Sequence, residues 1–373
     1  MASRPDEQDR ARERGGREAW IAIAGNPNTG KTSLFNAITG LRQKVGNYPG
    51  VTVERRLGIV PLPSGRRARC IDLPGCYSLV ARSHDEQIAH DVLVGQVEDT
   101  PEPDLVVIVV DASNLERNLY LASQILDLGI PCVIALNMID VAEDAGLEID
   151  HAKLGSKLGV PVVPTVAVRE QGIDDLLATV ERVLARPNAG NDGQRPWRMD
   201  DAIEREVAGL AAELGQHNVR PGRADAEAIW LLSSVREHDE LAGINPHIRA
   251  QVLAIQERLE EAGTPFRTAE IQARYAWIDQ VARACVRIGE RRRKNWTGRL
   301  DALFTHRIAG PVIFFGVMAL VFQSIFAWAD PAIRGIEYVF AGLSNGIRML
   351  LPPGALRDLL TEGVIAGAGN VVV

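Results

Sequence analysis

The residues best placed to do chemistry are Gly25-Asn26-Pro27-Asn28-Thr29-Gly30-Lys31-Thr32, which fit G-x-x-x-x-G-K-[ST]. In a loop between a strand and a helix, glycines at both ends let the backbone curl, so that successive N–H groups face phosphate oxygens. The helix N-terminus adds partial positive charge there. Lys31 would reach the β- and γ-phosphates, the Thr32 hydroxyl would bind Mg²⁺, and Ser33 belongs to the same turn. Asp72-Leu-Pro-Gly75 has the layout for a water-mediated Mg²⁺ contact through Asp72 and a γ-phosphate-sensing amide at Gly75. Thr52, after Gly50 and Val51, stands where a switch threonine would close on Mg²⁺ and the γ-phosphate. Asn137-Met138-Ile-Asp140 has the spacing to read guanine, because the Asp140 carboxylate accepts from N1–H and the exocyclic amine, which adenine does not present in the same way. The loop Val166-Ala167-Val168 would back the base.

These residues need a scaffold, and the flanking sequence supplies one. Ala-Trp-Ile-Ala-Ile-Ala before the loop reads as a buried strand, and Ser33 to Thr39 reads as a helix ended by Gly40. Val45 to Glu54 is rich in Gly and Pro and reads as a mobile loop. Leu57–Pro61 and Ala68–Leu73 read as strands joined at Ser64-Gly65, and Asp104–Asp111, Pro131–Leu136 and Val160–Val166 as further buried strands. Alternation with helices, the last at Ile173–Leu184, predicts an α/β phosphate-loop domain with a doubly wound, mainly parallel sheet over residues 19–186.

The 373 residues suffice for two domains with cores, and a net charge of −7 gives no support to nucleic-acid binding. Cys70, Cys76, Cys132 and Cys285 are widely spaced and show no C-x-x-C, which disfavours a disulfide framework or a zinc site. Residues 1–18 read as a disordered tail and 186–195 as a linker. Residues 196–290 carry apolar steps of three and four over Ala202–Leu214, Ala224–Ser233, Pro246–Ala262 and Ile271–Ile288, predicting a small all-α domain. His217, His238 and His247 are scattered and form no catalytic constellation. After the basic residues Arg291–Lys294, Arg299, His306 and Arg307, Ile308 to Ala329 runs uncharged up to Asp330. That length predicts a transmembrane helix at 308–329 in a lipid bilayer, with its N-terminal side cytoplasmic. Ile333–Leu350 reads as an interfacial amphipathic run, and the chain stops in an apolar run at Val373.

Taken together, the phosphate loop through Asn36, Asn47-Tyr-Pro-Gly-Val-Thr-Val-Glu54, Asp72-Leu-Pro-Gly-Cys-Tyr-Ser-Leu79 and Asn114-Leu-Glu-Arg-Asn-Leu-Tyr-Leu121 resemble the FeoB family of prokaryotic ferrous iron transporters. So do Asn137-Met-Ile-Asp140, Leu303-Phe-Thr-His-Arg307 and the terminal Gly-Val-Ile-Ala-Gly-Ala-Gly-Asn-Val. The resemblance implies a GTPase working on GTP and GDP with Mg²⁺, and a helical spacer that acts as a GDP-dissociation inhibitor. It implies a membrane permease begun over 330–373, Fe²⁺ as cargo, homo-oligomer formation and small accessory proteins as partners. It implies the bacterial cytoplasmic membrane as location, and Asn28 as ligand of an activating K⁺. Cys76 occupies the position where many regulatory GTPases carry a water-orienting Gln; FeoB-like proteins also lack that Gln, so no catalytic role is expected of Cys76. Val166-Ala-Val168 replaces a more usual Ser-Ala, and the chain is too short for a whole permease, so it reads as a fragment. The alternative is a soluble regulatory GTPase in RNA modification or ribosome assembly, with Ile308–Ala329 buried; the basic accessory domain that would favour it is absent from the sequence. A third reading is a membrane anchor with an inactive nucleotide site, which a hydrolysis assay separates from the others.

Overall fold

The computed structural model describes residues 18–40, 43–48, 53–97, 99–186, 195–216, 221–236, 241, 244–289, 300 and 303–372. The expected tail, the switch residues Gly50, Val51 and Thr52, most of the linker and the basic cluster 291–299 lie outside them. The chain divides into two units, residues 1–293 and 294–373.

The first unit is built on a seven-stranded sheet in the order β2-β3-β4-β1-β5-β6-β8. Its strands are β1 (Ala19–Gly25), β2 (Gln43–Asn47), β3 (Glu54–Pro61), β4 (Arg67–Asp72), β5 (Leu105–Asp111), β6 (Cys132–Asn137) and β8 (Val162–Pro164). From β4 to β8 all neighbours are parallel, while β2 and β3 are antiparallel at one edge. Every residue of β5 is buried, as expected of a strand covered on both faces. The helices α1 (Lys31–Thr39), α2 (His84–Val94), α3 (Leu115–Asp127), α4 (Ile139–Asp144), α5 (His151–Leu158) and α6 (Ile173–Ala185) connect the strands. This is a phosphate-loop α/β fold. The expected loop at Val45–Glu54 is partly an edge strand: β2 pairs with β3 from Gln43↔Gly58 to Asn47↔Glu54. Its two ends are pinned where Tyr48 N–H donates to the Val53 carbonyl at 3.0 Å.

An all-α region follows, with α7 (Asp201–Gln216), α8 (Ala224–Ser234), α9 (Pro246–Glu261) and α10 (Phe266–Cys285). Trp197, Val207, Leu232, Val252 and Phe266 form its own core. On α10, Ile278, Val281 and Cys285 instead join the core that covers one face of the sheet. Each fully buried aliphatic side chain contributes about 1.5–3 kcal/mol. A polar seam lies alongside: the buried Arg274 guanidinium meets Asp127 at 2.8 Å, Glu270 at 2.6 Å and the Ser123 hydroxyl at 2.9 Å. Finally, β7 (Leu147–Ile149) pairs with β9 (Val286–Ile288) in a separate two-stranded ribbon.

The second unit is helical. α11 (Ala309–Leu350) is followed by α12 (Ala355–Asp358), a π-helical stretch Leu359–Ile365 and α13 (Ala366–Val372). His306 Nδ1 accepts from the amides of Ile308 and Ala309 at 3.3 and 3.2 Å and so opens α11. Here the structure corrects the sequence reading. The helix does not end near Ala329 but runs for 42 residues through Pro331, merging the uncharged run with the amphipathic one. Its length therefore comes from turns that take in Arg334, Glu337 and Arg348. Among the described residues no helix is long and apolar enough to cross a membrane. That finding overturns the transmembrane helix expected at 308–329 and, with it, the location in the bacterial cytoplasmic membrane.

Candidate nucleotide site

The phosphate loop leaves β1 at Gly25, where the chain passes so close to β5 that a Cβ would stand 2.7 Å from the Val109 carbonyl. Asn28 and Gly30 both take left-handed backbone, with φ of 66° and 80°. Gly30 has a second reason to lack a side chain, since a Cβ there would meet Asn137 Nδ2 at 2.3 Å. Thr29 and Asn26 are buried, and the Thr29 hydroxyl donates to the Asn26 carbonyl at 2.9 Å. The Asn26 side-chain amide donates to the Arg117 carbonyl at 3.5 Å, tying the loop to the first turn of α3.

Lys31 and Asp72, both candidate site residues, come together. The Lys31 ammonium pairs with the Asp72 carboxylate and donates to the Leu73 carbonyl at 2.5 Å. Burial pushes the Asp72 carboxyl above the usual carboxylate range, with Lys31 and Arg56 pulling the other way. Thr32 is exposed at the start of α1, and Ser33 is half-buried behind it. Gly75 rests against Pro27 of the phosphate loop, where an added Cβ would stand 3.4 Å from Pro27 Cα. Cys76 is buried in the core, and burial raises its thiol to about 12, so at neutral pH it is an uncharged core residue.

The base side of the site is organised by Asn137. Its Nδ2 donates to the Thr29 carbonyl at 2.8 Å, and its Oδ1 accepts from Ala167 N–H at 2.9 Å and the Thr165 hydroxyl at 3.3 Å. One buried amide thus fixes the spacing between the phosphate loop and the loop that would back the base. Met138 takes left-handed backbone, φ 58°, and turns the chain into α4, whose first turn holds Asp140. Asp140 Oδ1 accepts from Val141 N–H at 3.0 Å, and Arg169 Nη1 lies 3.3 Å from Oδ2. Val166 and Ala167 are buried and Val168 is exposed.

Sequence reasoning missed the residues that hold the segment after Gly75. Gln124, on the buried face of α3, accepts from Leu79 N–H at 2.8 Å and the Ser78 hydroxyl at 3.2 Å. The Arg117 guanidinium stacks 4.2 Å from the Tyr77 ring centre, and Ser83 with Glu86 forms a capping box that opens α2. Arg117 does lie within Asn114–Leu121, a stretch singled out in the sequence, but nothing in that spacing points to Tyr77.

Comparison with known proteins follows the same lines. Residues 19–180 match the family described as ferrous iron transport protein B. The Fe(2+) transport protein A/FeoB fusion protein of Porphyromonas gingivalis is 34% identical over 364 residues, covering 95% of this chain and 42% of that protein. The Leptospira biflexa Fe(2+) transporter FeoB is 33% identical over 361 residues, covering 96% of this chain and 51% of its own length. The chain thus spans about half the length of these relatives. Among solved structures, the cytosolic domain of L. pneumophila FeoB is 35% identical with a TM-score of 0.62, matching 72% of this chain and all of that one. The GDP form of the T. maritima FeoB cytosolic domain is 29% identical with a TM-score of 0.60, matching 73% of this chain and 99% of that one. With a phosphate-loop fold, a base-side clamp and these likenesses in agreement, the chain belongs to the FeoB family of ferrous iron transport proteins, and its sheet domain is that family's GTPase.

Proposed function

We propose that this chain supplies GTP binding and hydrolysis to a ferrous iron transporter, with Fe²⁺ as the cargo of the whole-length protein. The observation that carries the nucleotide reading is the Asn137 clamp, which holds the phosphate loop and the loop that would back the base at a fixed separation. The polyphosphate lies along the amides of residues 25–33, and Lys31 exchanges Asp72 and the Leu73 carbonyl for β- and γ-phosphate oxygens. Thr32, Asp72 and the switch residue Thr52 offer hard oxygen donors that suit Mg²⁺, which neutralises phosphate charge when bound. Asn28, exposed on left-handed backbone, offers its side-chain oxygen to K⁺. Gly75 presents its amide to the γ-phosphate, Gly50 and Val51 approach from the other switch, and Asp140 accepts from guanine. Asn26, Pro27, Thr29, Gly30, Ser33, Met138, Val166, Ala167 and Val168 shape the cleft. The helical region 196–290 acts as a spacer that slows GDP release.

The test is hydrolysis by the full chain with Mg²⁺ at constant ionic strength. GTP should be turned over and ATP not, faster in KCl than in NaCl, and Asn28→Ala should lose the KCl advantage. Equal rates in both salts would return Asn28 to a loop-shaping role, and equal use of ATP would sink the guanine assignment. For the cargo, cells carrying the whole-length protein with Lys31→Ala should lose ferrous iron uptake; unchanged uptake would separate the GTPase from transport.

A further inference from the structure

Leu79 lies four residues beyond Gly75, and both of its backbone polar groups are taken by side chains rather than by a sheet or a helix. Its N–H donates to Gln124 Oε1 at 2.8 Å, and its carbonyl accepts from the indole N–H of Trp230 at 2.8 Å. Two residues further, Ala81 N–H donates to the Ser234 hydroxyl at 3.1 Å. Trp230 and Ser234 stand one turn apart on α8 and so share a face. The indole is fixed in its plane by the buried His90 of α2, which stacks on it at 3.8 Å and 6°. Leu79, Val80, Gln124 and Ser234 are all buried, so water does not replace a lost partner cheaply.

We propose that Trp230, a residue of the helical region, is a positioning residue for GTP hydrolysis: by holding the Leu79 carbonyl it sets Gly75 against the phosphate loop. This rests on the GTPase reading above. Gly75 is the amide aimed at the γ-phosphate, and a tether of four residues joins it to a clamp made by two different parts of the molecule. The Leu79–Trp230 bond thus acts on where Gly75 stands during hydrolysis rather than on how tightly nucleotide is held. Ser234 supports the same segment at Ala81, and Gln124 opposes Trp230 from the sheet side.

Trp230→Phe keeps an aromatic ring against His90 and removes the N–H donor together with part of the indole's volume; Ser234→Ala, which removes only a hydroxyl, is the milder partner variant. In the full chain, hydrogen–deuterium exchange over residues 76–83 should rise about tenfold in Trp230→Phe, as expected for one lost buried hydrogen bond. Its kcat for GTP should fall severalfold, with KM for GTP and affinity for GDP within twofold of wild type. Ser234→Ala should move both quantities in the same direction by less. Faster exchange with unchanged kcat in both variants would overturn the positioning role, as would unchanged exchange. A fall in GDP affinity matching the fall in kcat would reduce Trp230 to general support and also overturn it. Failure of the wild type to hydrolyse GTP would fault the GTPase reading itself, while the exchange data would still judge the clamp.

Discussion

The phosphate loop and the segment that follows Asp72 touch where Gly75 meets Pro27, yet they are held in place by different means. The loop is shaped mostly from within, by left-handed backbone at Asn28 and Gly30 and by the Thr29–Asn26 hydrogen bond, with Asn137 as its main remote restraint. The segment 77–81 is shaped almost wholly from outside, by Arg117, Gln124, Trp230 and Ser234 on two other helices. A self-contained loop keeps its form as its surroundings move. A segment held by distant side chains reports on those surroundings, which is what a switch requires.

The largest expected effect comes from Arg274→Ala, which leaves Asp127 and Glu270 buried without their cation and should cost about 3–5 kcal/mol in urea unfolding. It should also loosen segment 77–81 more than the phosphate loop in hydrogen exchange; equal loosening of both would erase the contrast. Next, Gly30→Ala should weaken GTP and GDP binding alike by roughly 2–4 kcal/mol, from left-handed strain and displacement of Asn137. Calorimetry checks this, and exchange over 77–81 should stay unchanged. Asp140→Asn should lower GTP affinity by roughly 1.5–3 kcal/mol and improve binding of xanthosine triphosphate, whose 2-oxo group suits an amide donor. Unaltered GTP affinity would remove Asp140 from the base site.

The smallest effect concerns His90. Burial disfavours its charged form, but Asp91 at 3.4 Å and Glu227 at 3.7 Å outweigh that and hold its pKa above the ordinary value. A raised folded pKa stabilises the fold below the ordinary histidine value of about 6.5, and that contribution is lost as pH rises through the folded value. Glu227→Gln should therefore lower the His90 pKa in an NMR titration and flatten the dependence of Tm on pH in that window. A pKa that does not move would assign the shift to Asp91 alone.

These contrasts also explain what the sequence disclosed. The phosphate loop, the Gly40 helix end and the buried strands are legible because each depends on residues within a few positions of one another. Asn137 is legible as a candidate site residue but not as a clamp, since its partners Thr29 and Ala167 lie 108 and 30 positions away. Trp230 lies 151 positions from Leu79, and no local pattern announces that pair. Edge strand β2 hides in a stretch rich in Gly, Asn and Pro, where local punctuation argues for a loop. The boundary at Ala329 failed for the opposite reason. Asp330 and Pro331 are strong local stop signals, but proline's missing donor and its clash with the carbonyl four residues back are local costs, and α11 continues through it.

The small ribbon of β7 and β9 has a mechanical consequence. It is extended at both ends, by Asp150 N–H to the Cys285 carbonyl at 2.9 Å and by Gly289 N–H to the Gly146 carbonyl at 2.8 Å. The stretch from α5 through the helical region is thereby a closed loop fastened at the ribbon, and residue 289 lies at that fastening rather than at the far end of the helices. Tension on the chain beyond residue 289 is borne first by three residues of β9, then by β7 and the turn that joins it to α4. Since α4 carries Asp140 in its first turn and runs into β7 from its last, a pull on the ribbon and a change at Asp140 act on opposite ends of the same short helix.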